Sequence, residues 1–163
     1  MPRVHDVEMP SGTRLREITT DDDWERVRVS VDTVWGPETS WVNDALRAEQ
    51  RRDPDLLVAV AAEDAASTQV LSYGVLRLQP GTEFCGLWGG STLAHWRGRG
   101  LYRAITSYRA RLALDRGYPY ARVDTSPDSR PILIGLGMQA VADTRPYVLD
   151  PSRVAAEAGS PTP

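Results

Sequence analysis

Cysteine, histidine and phenylalanine are nearly missing from this chain: 163 residues contain one cysteine, two histidines and one phenylalanine. A lone Cys85 excludes an internal disulfide and any cysteine-based metal cluster, and His5 and His95 are too few for a structural zinc site. Nothing adjacent to Cys85 would stabilise a thiolate, so it reads as a small buried side chain rather than a nucleophile. No apolar run approaches the ~20 residues needed to cross a bilayer. No basic segment followed by an apolar one opens the chain, so a soluble cytoplasmic protein is expected. Lysine is absent, and all 19 basic residues are arginine. Against 22 acids they leave a formal charge of −3, which excludes the global basic field that nucleic acid would favour. No internal repeat is visible.

What is present is an ordinary globular composition, 41% hydrophobic and 25% charged, which is not that of a disordered chain. Residues 1–11 carry two prolines and no periodicity, and 150–163 are rich in Pro, Ser, Ala and Gly. These read as a loose lead-in and a frayed tail around one domain at 12–149.

Thr13 to Ile18 alternates as a first strand. Thr20 with Asp21, Asp22 and Asp23 is a helix start, and Trp24, Val27, Val31 and Val34 continue at helical spacing to Trp35. Gly36-Pro37 breaks that helix, and a second runs from Thr39 or Ser40 to Arg51. Leu56 to Ala61 is an interior strand, Val70 to Leu78 returns as its hairpin partner, and Phe84 to Leu93 follows. Gly86, Gly89 and Gly90 weaken that last strand unless a bulge or a close ligand needs the room. A helix spans Leu101 to Arg116, with Ala104, Ile105, Tyr108, Leu112 and Ala113 inward and arginines elsewhere. Tyr118 to Thr125 holds a strand, Arg130 to Leu136 a short helix, and Met138 to Leu149 a last strand or strand pair. The order β-α-α-β-β-β-α-β-α-β predicts an α/β fold: a mixed sheet with helices on both faces.

The most informative stretch is Arg97-Gly98-Arg99-Gly100-Leu101-Tyr102. A glycine turn between a strand and a helix presents unpaired backbone N–H groups at the positive end of the helix dipole, which suits an anion. The two arginines add forked donors suited to phosphate. A plain tight turn with solvated arginines is the alternative.

With this turn in this element order, the chain resembles the GCN5-related N-acetyltransferases (GNAT). Their acyl-CoA motif, Gln/Arg-x-x-Gly-x-Gly/Ala, is matched by Arg97 and Gly100 and departs at Tyr102. A later loop, Ser129 to Ile134 followed by Leu136-Gly137-Met138, is similar to the family's second signature. The resemblance implies acetyl-CoA as cosubstrate without a metal, its pyrophosphate held by the backbone of Arg97, Gly98, Arg99, Gly100, Leu101 and Tyr102. It further implies that Thr92, Leu93 and Ala94 pair with the pantetheine arm in an opening between two parallel strands, with Ser129 and Ile132 on the other side. Where family members often hold a tyrosine acid, alignment places Leu133, which has no proton to give; Tyr102 and Tyr147 are weaker substitutes.

Acyl transfer needs a neutral amine, a polarised thioester carbonyl and a route for one proton. A backbone N–H near Leu93 serves the carbonyl. His95, Glu83 and Asp124 are the candidate bases, His95 because an imidazole ordinarily titrates near neutrality. Trp24, Trp35, Trp41, Trp88 and Trp96 read first as packing. If instead Trp35, Trp41 and Trp88 line an acceptor pocket, that pocket is aromatic, with Asp32 or Glu38 to hold a cationic amine. The expected partner is a small-molecule amine, without nucleic acid or membrane, and a homodimer is compatible with the aromatics. Two other readings stand: a catalytically degenerate GNAT-fold protein that binds CoA or another ligand without transfer, and a protein or peptide acetyltransferase.

Overall fold

The computed structural model describes residues 8–145 and 147. Five strands form one sheet in the order β1-β2-β3-β4-β5: β1 (Thr13–Ile18), β2 (Leu57–Asp64), β3 (Val70–Leu78), β4 (Phe84–Thr92) and β5 (Tyr120–Arg122). The first four are antiparallel neighbours, and β5 lies parallel to β4. Helices α1 (Asp21–Trp35) and α2 (Ser40–Arg52) join β1 to β2, α3 (Leu101–Asp115) joins β4 to β5, and α4 (Arg130–Gly135) follows.

Alternation along β2 sorts the core onto two faces. Leu57, Ala59 and Ala61 pack with Trp24 and Val27 of α1. Val58 and Val60 pack with Leu76, Leu87 and Ala113, and Ala62 with Leu101 and Ile105 of α3. Helices therefore cover opposite faces of a mixed sheet, the predicted architecture. Among the described residues no helix is long and apolar enough to cross a membrane.

The start of α1 follows from its sequence. The Thr20 hydroxyl accepts from the Asp23 amide (3.2 Å), and the Asp23 carboxylate accepts from the Thr20 amide (3.1 Å), a reciprocal cap. Asp23 is buried and also accepts from Arg16 and Arg26, while Arg16 reaches Glu63 on β2 at 2.9 Å. Burial alone would raise the Asp23 carboxyl. Its bonds from Arg16 and from the Thr20 and Thr19 amides outweigh that and hold it well below the usual range. A carboxyl depressed in the folded state stabilises above its unfolded pKa and loses that contribution on acidification. Stability is therefore expected to fall as pH drops below about 4. In denaturant titrations between pH 5 and pH 2, the loss should be smaller in Asp23→Asn by roughly 2 kcal/mol; identical pH slopes would refute the assignment.

Two expectations are corrected. Residues 138–145 form no strand: Val141 stands in solvent, and no buried face holds the segment in a ladder. The rest of the expected last strand apart from Tyr147, the tail at 150–163, and residues 1–7 lie outside the described residues. The second correction is in α3, where Tyr108 is at the surface donating to Glu17 (2.9 Å), and one arginine, Arg109, is in the core at 1% exposure.

Candidate active site

β4 and β5 pair only at Phe84–Tyr120, Cys85–Ala121 and Gly86–Arg122. Beyond Gly86, β4 runs on to Thr92 with no described strand on that edge. β5 ends at Arg122 opposite Gly86, so the fork, closed at Gly86 and open toward the start of α3, lies between β4 and the segment that follows β5. A bulge bends β4 there: Val75 pairs with Trp88 and Tyr73 with Ser91, leaving Gly74 opposite both Gly89 and Gly90. Gly89 takes φ +63°, which bulges favour in glycine.

Arg109 holds the bulge from the α3 side. Its Nη1 donates to the Val75 carbonyl (2.8 Å) and the Trp88 carbonyl (3.1 Å), and its Nε to the Ile105 carbonyl (3.3 Å). A Cβ on Gly74 would stand 2.6 Å from the Arg109 Cζ, so that glycine makes room for the guanidinium. Burial pushes the Arg109 pKa down to about 10, and it stays charged at neutral pH. Arg109 was not among the expected site residues; its one trace in the sequence is the glycines of the two facing strands.

At the open end, the Leu93 amide donates to the Leu71 carbonyl (2.9 Å) and is not turned toward the fork as expected. Alternation turns the Thr92 amide and carbonyl outward instead, and the Thr92 carbonyl accepts from Arg97 Nε at 3.3 Å. Gly98 and Gly100 take φ +74° and +90°. Gly100 is the N-cap of α3, whose first turn has no side-chain cap and no acid. In α1 the same position has Thr20 and three aspartates. The α3 terminus has Arg97, Arg99 and Arg103 instead, with Arg99 stacked over Trp96 at 4.7 Å. Unpaired amides, a positive dipole end and cations together disfavour one another unless an anion sits among them. Tyr102 does not cap this turn: its ring leans on Gly90, where an added Cβ would meet it at 2.6 Å.

Across the fork, Ser129 and Ser126 bond reciprocally, amide to hydroxyl, at 3.0 and 3.2 Å. The Ser129 hydroxyl is thus engaged in its own loop. Ile132 is half-buried and Leu133 is buried. The three candidate bases are not brought together. His95, in a short turn after β4, and Asp124, just past β5, are both exposed near the open end. Glu83 precedes β4 at the closed end, where its carbonyl accepts from the Tyr120 amide (3.2 Å). Nine strand residues at ~3.3 Å each separate it from the open end, so Glu83 does not reach the fork's mouth. Tyr147 is exposed. Cys85 is buried, which pushes its thiol up.

Beneath α1 and α2 a cavity of about 230 Å³ opens at the bulge, lined by Val31, Trp35, Val42, Leu46, Tyr73 and Gly89 among others. Trp24 packs in the core and bonds Gln50 (2.8 Å), but Trp35, Trp41 and Trp88 are exposed. Neither Asp32 nor Glu38 lines the cavity, and Asp32 accepts from Arg28 (3.0 Å) and Ser40 (2.7 Å).

No protein-family model and no curated protein matches this chain in sequence. Solved structures do. The aminoglycoside N-acetyltransferase AAC(6')-Iy, in complex with a CoA-acetylneamine bisubstrate analogue, is 19% identical with TM-score 0.69, over 86% of this chain and 99% of that one. An acetyltransferase of Trypanosoma brucei is 17% identical with TM-score 0.71, over 84% and 99%. Glucosamine-6-phosphate N-acetyltransferase of Arabidopsis thaliana is 16% identical with TM-score 0.70, over 85% and 99%. The fold of this chain is the GNAT acetyltransferase fold.

Proposed function

We propose that this protein is an N-acyltransferase that moves an acetyl group from acetyl-CoA to the primary amine of a small molecule. The observation that carries the reading is the uncapped, arginine-flanked N-terminus of α3 at the mouth of the β4/β5 fork. Of the amides expected from Arg97 to Tyr102, that of Arg97 donates to the Ala94 carbonyl (3.2 Å), so those from Gly98 to Tyr102 would take the diphosphate, and the free edge of β4 would pair with the amide-bearing arm as an added strand. The named acetyltransferases of the same fold, one of them with a CoA-containing analogue, support this donor.

In the reaction the amine nitrogen bonds to the thioester carbon and the carbon–sulfur bond breaks. Charge develops on the carbonyl oxygen, and the outward Thr92 amide is the donor positioned for it. One amine proton passes to solvent, directly or through His95 or Asp124. With buried Leu133 where an acid was sought, the sulfur leaves as thiolate and takes its proton from water.

Calorimetric titration should show micromolar binding of acetyl-CoA and CoA, weakened about tenfold by Arg97→Ala or Arg99→Ala through loss of a charge-assisted bond. A folded sample that binds neither would end this reading. Thiol release should then appear with a suitable amine, and the absence of lysine keeps side-chain self-acetylation from contributing. Unchanged turnover in His95→Ala would remove the histidine as base. The same Leu133 favours a second reading, binding without transfer, which CoA affinity with no thiol release from any amine would support.

A further inference from the structure

Two buried side-chain amides lie on the inward face of α2, and only one of them is paired. Gln50 accepts from the Trp24 indole N–H (2.8 Å) and donates to the Ile18 carbonyl (2.9 Å). Asn43, two turns earlier on the same face, is 5% exposed, and its carboxamide bonds to none of the described residues. Asn43 is also a wall of the cavity beneath α1 and α2. The unpaired hydroxyls of Tyr73 and Ser91 are sealed from any space that water could enter. The Asn43 carboxamide is not sealed in this way, and because the residue is buried, the cavity is the space onto which it opens. An unpaired amide in the interior costs stability, and an occupant that bonds to it removes that cost.

The other walls define the occupant. Val42, Leu46 and the rings of Trp35 and Tyr73 are apolar surface. No Asp, Glu, Lys or Arg is among the lining residues, and Thr39 spends its hydroxyl proton on the Gly36 carbonyl (2.8 Å). A polycation or a phosphate would enter without a counter-charge. At about 230 Å³ the space exceeds the ~150 Å³ that admits one benzene ring. Gly89 is its wall on β4, the strand whose free edge forms the fork, so the cavity adjoins the fork. A carboxamide offers a donor and an acceptor side by side. One hydroxyl oxygen meets only one of them in line, whereas a second carboxamide meets both, N–H to carbonyl in each direction.

We infer that this cavity receives the apolar body of a monoamine acceptor, uncharged apart from its amine, and that Asn43 selects acceptors bearing a carboxamide there by pairing with it. The inference rests on the acetyl-transfer reading for its amine.

The probes are phenethylamine and its para-carboxamide, with the para-carboxylate as the charged isostere and kanamycin as a polycation. By calorimetry with CoA present, and by kcat/KM with acetyl-CoA, the carboxamide should be preferred over phenethylamine about tenfold. The carboxylate should be the poorest of these three. Asn43→Leu, which nearly keeps the side chain's size, should bring the ratio of carboxamide to phenethylamine to about one. Its melting temperature should equal or exceed that of the wild type, because an unpaired buried amide has been removed. Equal affinity for phenethylamine and its carboxamide, preference for the carboxylate or kanamycin, an undiminished ratio in Asn43→Leu, or a lowered melting temperature in that variant would each overturn the inference. Acetyl-CoA affinity is the separate control: its loss strikes the transferase reading, whereas its presence with no discrimination between the two amines strikes this one alone.

Discussion

A Gly100→Val protein is expected to fold and yet to bind acetyl-CoA about a hundredfold more weakly than the wild type. Among the described residues nothing lies within 4 Å of a Cβ built on Gly100, so steric collision is not the cause. The backbone is: φ is +90° at this residue, a region that a β-branched side chain enters only with strain. Relaxing to negative φ swings the amides of the first α3 turn away from their common focus. Two charge-assisted bonds at about 1.5 kcal/mol each amount to about 3 kcal/mol, or two powers of ten in affinity. The same strain should lower folding stability by only about 1–2 kcal/mol. Calorimetry beside a denaturant titration checks both, and wild-type affinity in Gly100→Val would remove the anion site from α3.

The second large effect is expected at Arg109. Arg109→Ala should cost about 3 kcal/mol or more, because the Val75 and Trp88 carbonyls lose their donor and a large void opens under the bulge. For a domain of this size that is a fall of roughly 6–12 °C in melting temperature. Relief of a buried, carboxylate-free charge offsets part of the loss, so Arg109→Met should cost less than alanine. Gly74→Ala strikes the same contact from the other strand, since its Cβ would stand 2.6 Å from the guanidinium. The two changes should therefore be non-additive: Gly74→Ala is harmful while Arg109 is present and nearly neutral in the Arg109→Ala background. Strict additivity would mean that Gly74 is kept for another reason.

Several elements are readable from local pattern because their causes are local. Thr20 with three aspartates starts α1, Gly36-Pro37 ends it, and the glycine turn at 97–100 precedes α3, since capping and positive φ act within a few residues. Arg109 is not readable in this way. Its position in α3 looks like one more polar helix residue, and it becomes a core residue only because glycines on β3 and β4 stand opposite it. Leu93 departs from expectation for a similar reason: which edge of a strand an amide faces depends on its partner, and Leu71 takes that amide. The expected last strand fails at 138–145 because a strand exists by pairing, and apolar alternation alone does not supply a neighbour.

By itself the sequence determined the element order through β5, the helix limits, the exclusion of cysteine-based chemistry and the place of the glycine turn before α3, all consequences of composition and short-range geometry. The tertiary structure decided what lies between elements: the fork left by three paired residues of β4 and β5, the arginine beneath the bulge, and the cavity beneath α1 and α2. These depend on which side chains meet across the sheet, and contacts at that separation leave no periodic trace in the chain.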